Sequence, residues 1–183
     1  MNEIVQSGKK KFYKRWWFWV LAVIVIIIVL ASIGDSSPTK VGNVGDTNTQ
    51  QKEVFKVGDQ IQSGDSLLTV TKVTKNWKSS NQFDTPGPGN VYVVVTIAIE
   101  NKGTSDLSLS GMWDFKLEDA NGVQTSQALG GIGIKQLPTG SLSPNGKASG
   151  DVLFEVDKNA LSNLKLHYEP LFSLNKEVII ELQ

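Results

Sequence analysis

The chain has 183 residues and no cysteine, and its 18 basic residues balance 18 acidic ones. The absence of cysteine excludes disulfides, thiolate metal sites and a cysteine nucleophile. Five basic residues and one acid lie in residues 1–34, whereas the rest of the chain carries 13 lysines, 17 acids and no arginine. A nucleic-acid binder would present a basic patch that contains arginine, so the outer part of the chain is not expected to bind nucleic acid.

Residues 16–34 form an apolar segment without charge or proline. As a helix with a rise of about 1.5 Å per residue, the segment would span about 28 Å, close to the ~30 Å hydrocarbon core of a bilayer. The sequence therefore predicts a transmembrane signal-anchor helix over 16–34 that places the chain in a lipid bilayer. The residues predicted to lie at the inner membrane interface are Lys9, Lys10, Lys11, Lys14, Arg15, Trp16, Trp17 and Trp19.

The basic segment 1–15 is predicted to be cytoplasmic, because positive flanks remain inside, and the chain from Asp35 onward is predicted to be extracellular. The alternative is a cleaved signal peptide. Ser32-Ile33-Gly34 has small residues at both ends of a cleavage triplet, and cleavage near Gly34 would release a secreted protein. The length of the apolar segment and its three tryptophans favour retention as a single-pass anchor.

Residues 35–52 are polar and rich in Gly, Ser, Thr and Asn, with no period. Such a segment buries too little apolar surface to offset its ordering entropy, so we expect a flexible linker. The remainder, residues 53–183, has the length of one domain.

The apolar period in residues 53–183 is two, and no long segment has a helical period. The clearest strand is 91–101, whose odd positions are all β-branched and apolar while its even positions are mixed. The segment 66–75 changes phase near Thr71–Lys72, which predicts a β-bulge. Similar alternation recurs in segments 146–156, 164–169 and 177–182.

Turn motifs separate these strands. Asn121-Gly122 predicts a hairpin between a strand at 115–117 and a partner from Val123. A single helical turn is expected at 157–161, with Asp157 as its N-cap. Seven to nine short strands joined by such turns predict an all-β fold, an antiparallel two-sheet β-sandwich.

The order of several short motifs resembles the family known as the domain of unknown function 4352. The resemblance covers residues 53–182 and rests on Val57-Gly58-Asp59, Pro88-Gly89-Asn90-Val91-Tyr92-Val93-Val94-Val95, Glu100-Asn101-Lys102-Gly103, Asp114-Phe115-Lys116-Leu117-Glu118-Asp119-Ala120-Asn121-Gly122 and Pro144-x-Gly146-x-x-x-Gly150-x-Val152-x-Phe154-x-Val156. It implies an immunoglobulin-like sandwich, similar to the fold of a secreted mycobacterial antigen, in a bacterial protein anchored by a lipid or an N-terminal helix. The family has no established catalytic residues, and this chain lacks the cysteine of its lipid-anchored members.

Three sets of residues are candidates for chemistry. His167, the only histidine, is predicted to lie exposed on the outer face of its strand, where a lone imidazole is neither a metal site nor a triad base. Asp114, Glu118 and Asp119 form an acidic cluster without the spacing of a calcium loop. Gly130-Gly131-Ile132-Gly133 is expected to be an ordinary loop, because no helix follows to form a phosphate cradle. We therefore expect no metal, no cofactor and no catalytic residues.

The long loop from Asn76 to Asn90 is the candidate binding site. Its candidate partner-binding residues are Trp77, Phe83, Pro86 and Pro88, since aromatic side chains in a long loop on a rigid sandwich often bind partners. The competing and favoured interpretation is that Trp77 and Phe83 fold back over one end of the core. Trp113 has the same two interpretations, with the core again favoured.

The first functional hypothesis is a non-enzymatic binding or interaction module at the bacterial cell surface, with a protein or cell-envelope partner. The alternative is an accessory subunit of a membrane complex that contacts its partners through helix 16–34. The third is a carboxylate-dependent enzyme that uses Asp114 and Glu118 with raised pKa values.

Overall fold

The computed structural model describes residues 38–40, 54–170 and 177–183. The predicted anchor, its interface residues, the cleavage triplet and most of the predicted linker lie outside these ranges. No helix within the described ranges is long and apolar enough to span a membrane. All three ranges belong to one compact unit, Ser36–Gln183.

Two five-stranded sheets form an all-β sandwich. The described ranges contain the strands β1 (Thr39–Lys40), β2 (Phe55–Lys56), β3 (Ile61–Ser63), β4 (Ser66–Trp77), β5 (Asn90–Asn101), β6 (Leu107–Leu109), β7 (Phe115–Glu118), β8 (Gln124–Ser126), β9 (Gly140–Leu142), β10 (Lys147–Asp157), β11 (Lys165–Tyr168) and β12 (Val178–Glu181). The front sheet has the order β1-β3-β4-β5-β10, and the back sheet has the order β2-β12-β11-β7-β8. Strands β6 and β9 form a small additional pair.

The core lies between the two sheets and contains the apolar positions that the period of two predicted. Val93, Val95, Ile97 and Ile99 of β5 are all buried. Tyr168 stacks on Phe115 with ring centroids 5.1 Å apart, and its hydroxyl lies 3.0 Å from Ser66 Oγ of the front sheet. Burial raises the pKa of Tyr168 to about 12, so the phenol remains protonated while it joins the sheets.

Several local predictions are confirmed. The β4–β5 register shifts between Val70 and Lys72, where the bulge was expected. The hairpin at Asn121-Gly122 joins β7 and β8, and its turn forms because the Asp119 carboxylate accepts hydrogen bonds from the backbone N–H groups of Asn121 and Val123.

Other local predictions are wrong. The pairing is not wholly antiparallel, because β2 lies parallel to β12. The single turn expected at 157–161 does form, since the N–H of Ala160 donates to the carbonyl oxygen of Asp157 and the N–H of Asn159 donates to the Asp157 carboxylate, but it is a tight turn and not a helical one. The number of strands exceeds the expected seven to nine, since segments of two or three residues are too short to show a period.

The predicted linker is not entirely irregular. Thr39 pairs with Gln62 and Lys40 with Ile61, and Lys40 Nζ lies 2.7 Å from the Asp59 carboxylate. Long-range pairing to an existing edge, which composition alone does not reveal, orders this short piece. The flexible interpretation is therefore wrong for residues 39–40.

The strand directions define two ends of the sandwich. We call the end with the β3–β4 turn and the start of β4 the entry end, because the chain reaches β1 there: Thr39, the first residue of β1, pairs with Gln62, next to that turn. We call the opposite end, where β4 stops at Trp77 and β5 starts at Asn90, the loop end.

The front sheet is buried on both of its faces near the loop end. Tyr92, Val94 and Leu153 point away from the main core and form a second apolar cluster. Trp77, Ala128 and Ile134 pack against this cluster and cover it. The mixed even positions of β5 thus include a second buried face.

The backbone of residues 135–137 passes very close to β10 at Gly150. A Cβ atom at position 150 would lie 2.5 Å from the backbone N and Cα of Leu137. The N–H of Leu137 donates to the carbonyl oxygen of Asp151 at 3.0 Å, and the N–H of Asp151 donates to the carbonyl oxygen of Lys135 at 2.7 Å. Glycine is required at position 150 because one backbone crosses another there.

Candidate functional site: an aromatic pocket at the loop end

A pocket of about 340 Å³ lies between the loop 78–89 and the adjacent ends of β4 and β5. It is lined by Asn76, Trp77, Lys78, Ser79, Asn81, Gln82, Asp84, Thr85, Pro86, Asn90, Val91 and Tyr92. The β4–β5 register pairs Trp77 with Tyr92, so their rings meet with centroids 6.2 Å apart and planes tilted by 44°. Trp77, which is partly exposed, and Tyr92, which is 4% exposed, therefore line one corner of the pocket.

Hydrogen bonds within the loop 78–89 hold its first half in one conformation. Ser79 Oγ accepts a hydrogen bond from the N–H of Asn81 at 3.1 Å, and Asn81 Oδ1 accepts one from the N–H of Phe83 at 2.9 Å. The N–H of Asp84 donates back to the carbonyl oxygen of Asn81 at 3.0 Å. These side-chain turns replace a regular backbone ladder.

The Asp84 carboxylate ties this loop to the glycine-rich loop 130–133. It accepts hydrogen bonds from the N–H of Gly131 at 3.0 Å and from the N–H of Ile132 at 2.7 Å. The Ile132 N–H is the main cause that lowers the pKa of Asp84. Gly130 has a φ of 131°, and a Cβ there would collide with the Asp84 carboxylate. The glycine-rich loop therefore does bind an anion with its backbone, and that anion is the Asp84 side chain.

A second carboxylate holds the other half of the loop. Glu155 Oε1, on β10, accepts hydrogen bonds from the N–H of Gly87 at 2.9 Å and from Asn90 Nδ2 at 2.8 Å. The Tyr92 hydroxyl lies 3.5 Å from Asp84 Oδ1, and burial together with the Asp84 charge raises the pKa of Tyr92. The pocket wall is thus held in position by two carboxylates, each of which accepts hydrogen bonds from N–H groups of the protein.

The structure divides the four predicted partner-binding residues. Trp77 and Pro86 line the pocket, whereas Phe83 is 86% exposed and Pro88 is also exposed, and neither lines the pocket. The prediction that Phe83 covers the core is wrong, because Ala128 and Ile134 already cover the outer apolar cluster. Trp77 does pack against that cluster while it also faces the pocket.

The prediction that Trp113 belongs to the core is also wrong, since its side chain is 63% exposed. It lies in a turn closed by the N–H of Asp114, which donates to the carbonyl oxygen of Ser110 at 3.0 Å. The Asp114 carboxylate accepts a hydrogen bond from the N–H of Ser110 at 2.7 Å. This reciprocal pair holds the turn, and Trp113 within it is left exposed.

The acidic residues of the predicted cluster do not converge on one site. Asp114 precedes β7 and Asp119 follows it, and each carboxylate accepts hydrogen bonds from nearby backbone N–H groups. Lys165 lies 2.7 Å from Glu118 and lowers the pKa of that carboxyl, the opposite of the raised pKa that an acid catalyst requires. Within the described ranges, no group of three His, Cys, Asp or Glu side chains has the geometry to hold a metal ion.

His167 is buried, which contradicts the expectation of an exposed residue. Its Nδ1 lies 2.6 Å from Glu177 Oε1, and its Nε2 lies 2.9 Å from Glu118 Oε2. Both ring nitrogens donate to these carboxylates only when the ring carries two protons. We call His167, Glu118, Glu177 and Lys165 the ionic cluster of the back sheet. No sequence motif predicts this cluster, because its members come from three separate segments of the chain.

The family model described as "Domain of unknown function (DUF4352)" matches residues 55–178. The chain belongs to the DUF4352 family. No protein of curated function matches the sequence significantly.

Solved structures of two other bacterial proteins resemble this DUF4352 domain. The yjhA protein of Bacillus subtilis matches with a TM-score of 0.58 and 19% identity, over 71% of this chain and 100% of that chain. The secreted protein MPT63 of Mycobacterium tuberculosis matches with a TM-score of 0.53 and 11% identity, over 73% of this chain and 99% of that chain. At these identities the likeness shows the fold alone.

The DUF4352 match includes the pocket, so the pocket belongs to the family domain. Sequence reasoning found the loop, Trp77 and Pro86, but it missed Asp84, Tyr92 and Glu155. The only sequence signal for Tyr92 was its place in the mixed face of β5. Asp84 and Glu155 carried no signal, because their partners are backbone groups distant in sequence.

Proposed function

We propose that this DUF4352 domain is a non-enzymatic module that binds a protein or cell-envelope partner at the loop-end pocket. The observation that carries the proposal is a concave aromatic corner, formed by Trp77 and Tyr92, beneath a loop with a defined conformation. Largely preformed apolar pockets with a few polar groups are where proteins bind ligands.

The anchoring of the loop supports binding rather than mere coverage of the core. Asp84 and Glu155 hold its two halves through hydrogen bonds to the N–H groups of Gly131, Ile132 and Gly87. A loop that is ordered before binding loses little conformational entropy when the partner arrives. The same bonds hold the loop beside Trp77, which is partly exposed, so the pocket next to its ring stays open.

We further propose that the module is displayed outside the cell by the predicted anchor 16–34. The apolar length and basic flank of that segment support this placement, and a secreted protein with the same fold is consistent with it. Within the sandwich, β1 begins at the entry end, which is the end opposite the pocket.

Site-specific photo-crosslinking tests the binding proposal in the full chain. A benzoylphenylalanine at Thr85, an exposed residue that lines the pocket, should capture one defined partner on intact bacterial cells. The same probe at Val123, which is 54% exposed on the β7–β8 hairpin, is the positional control and should not capture it.

The matched variants are Trp77→Ala and Trp113→Ala. Trp77→Ala should abolish capture from position 85, whereas Trp113→Ala should leave it intact, because Trp113 is exposed outside the pocket. Equal capture from both probe positions, or capture that survives Trp77→Ala, would contradict the pocket assignment.

The placement has its own test. The intact mass of the mature protein should include residues 1–34, and protease added to intact cells should remove the sandwich. A mature protein that begins after Gly34 would support the signal-peptide alternative, and a protected sandwich would refute export.

A further inference from the structure

We propose that the partner is an extended, acidic polypeptide segment that adds as a strand to the open edge of β4 and places an apolar side chain in the Trp77–Tyr92 pocket. This inference rests on the proposed function, because it names the partner of the same site. It combines a strand edge that no described strand pairs with, an apolar pocket at the end of that edge, and three exposed lysines for which the described residues provide no carboxylate partner.

The first observation is the open edge. Strand β5 pairs with β4 from Ser66 to Trp77, with register shifts at Thr71 and at Asn76. On the other side, β3 pairs only with Ser66–Leu68, and the carbonyl oxygen of Val70 accepts a hydrogen bond from the N–H of Gly58. No strand of the described ranges pairs with this edge from Lys72 to Trp77. Such an edge presents backbone donors and acceptors to an added strand.

The second observation is continuity between the edge and the pocket. Asn76 and Trp77 are the last residues of β4, and both line the pocket. A strand added beside residues 72–75, before the register shift at Asn76, would therefore end next to the mouth of the pocket. Side chains of a strand alternate between its faces, so one near its end can enter the pocket while the backbone stays on the edge. The aromatic walls suit an apolar side chain there.

The third observation is charge. Lys72, Lys75 and Lys78 are exposed along this edge and at the mouth of the pocket. Among the described residues, no carboxylate pairs with any of them, and Lys75 Nζ bonds only the carbonyl oxygen of Leu161, at 3.0 Å. The nearby carboxylates of Asp84 and Glu155 are occupied by the loop. An acidic segment would supply the missing countercharge.

The same lysines disfavour a second copy of this chain as the occupant. Lysines on an edge strand discourage pairing with another identical edge, because two such edges would bring like charges together. They accept an acidic strand and reject a basic one, which gives the edge selectivity. The occupant is therefore a different polypeptide.

Peptide selection tests the inference directly. A random dodecapeptide phage library, first depleted on the Trp77→Ala variant, would be panned against the full chain in detergent micelles. We expect the recovered peptides to be enriched in Asp and Glu and to contain a large apolar residue. Their synthetic forms should bind with an affinity that falls as salt rises.

Backbone methylation of a recovered peptide distinguishes strand addition from other binding modes and needs no protein variant. N-methyl groups on alternate residues remove the donors on one edge of an extended peptide, and methylation of the intervening residues removes those on the other edge. One of the two patterns should weaken binding at least about tenfold, and the other should have little effect, because only one edge faces β4.

Charge variants complete the test. Lys72→Glu combined with Lys78→Glu should weaken binding of the acidic peptide several-fold, whereas Lys147→Glu, at the entry end, should not. No recovered peptide, no enrichment in acids, or equal tolerance of both methylation patterns would overturn the inference. A glycan or lipid captured from position 85 in a Trp77-dependent manner would also overturn it, while the proposed binding function would stand.

Discussion

The outward-facing side chains of the two sheets make different kinds of contacts. On the front sheet, Tyr92, Val94 and Leu153 point outward and are apolar, so other segments must cover them. On the back sheet, the corresponding outward positions include Lys165 and His167. Both contact the carboxylate of Glu118 on the neighbouring strand, and His167 also contacts that of Glu177.

The difference explains where a pocket forms. Loops that cover an apolar face pack against it incompletely and leave an aromatic concavity beneath the loop 78–89. Ion pairs on the back sheet satisfy one another across neighbouring strands and require no covering loop. The proposed binding site therefore lies on the front face at the loop end, and we expect the ionic cluster to stabilise the fold.

The largest effect is expected from Leu153→Ala. Leu153 is fully buried in the outer apolar cluster, so truncation should lower the free energy of unfolding by about 2–5 kcal/mol. Denaturant unfolding of the full chain in mild detergent measures the change. If Leu153→Ala lowers the free energy of unfolding by less than His167→Ala does, the ionic cluster contributes more to stability than the outer apolar cluster.

His167→Ala is expected to cost less, about 1–3 kcal/mol. The substitution removes the imidazole ring, whose two nitrogens contact Glu118 and Glu177, and leaves a cavity between the carboxylates. His167→Gln, which retains a donor, should restore part of the loss in the same unfolding assay. An alanine variant as stable as the parent protein would show that the cluster contributes nothing.

Acid should weaken the back face through Glu118. Hydrogen bonding to Lys165 lowers the pKa of Glu118 below its ordinary value of 4.5 in the folded protein. Its contribution to stability is therefore complete above that value and is lost as the pH falls through the folded-state pKa. The thermal midpoint of Glu118→Gln should fall less between pH 6 and pH 3 than that of the parent protein, and equal slopes would contradict this assignment.

Asp84→Asn should have the smallest effect on global stability and a clear local one. The neutral amide accepts weaker hydrogen bonds from the N–H groups of Gly131 and Ile132 than the carboxylate does. Amide hydrogen exchange at these two residues should become several-fold faster, while exchange of the β5 amides stays unchanged. Unchanged exchange at Gly131 and Ile132 would show that Asp84 does not hold the loop.

The amino-acid sequence determined the β-sandwich, most of its long strands and the position of the bulge, because alternation and turn chemistry are local properties. It also identified the long loop and two of the pocket residues. Only the tertiary structure brought Trp77 beside Tyr92 through the β4–β5 register, and Asp84 beside Gly131 across 47 positions.

The same reason accounts for the errors. His167 alternates like an exposed residue, yet partners from β7 and from the residue before β12 bury it. Phe83 has a large apolar side chain of the kind found in cores, yet Ala128 and Ile134 already occupy the surface that it would cover. Local sequence sets which face a side chain takes, whereas what lies against that face depends on segments distant in sequence.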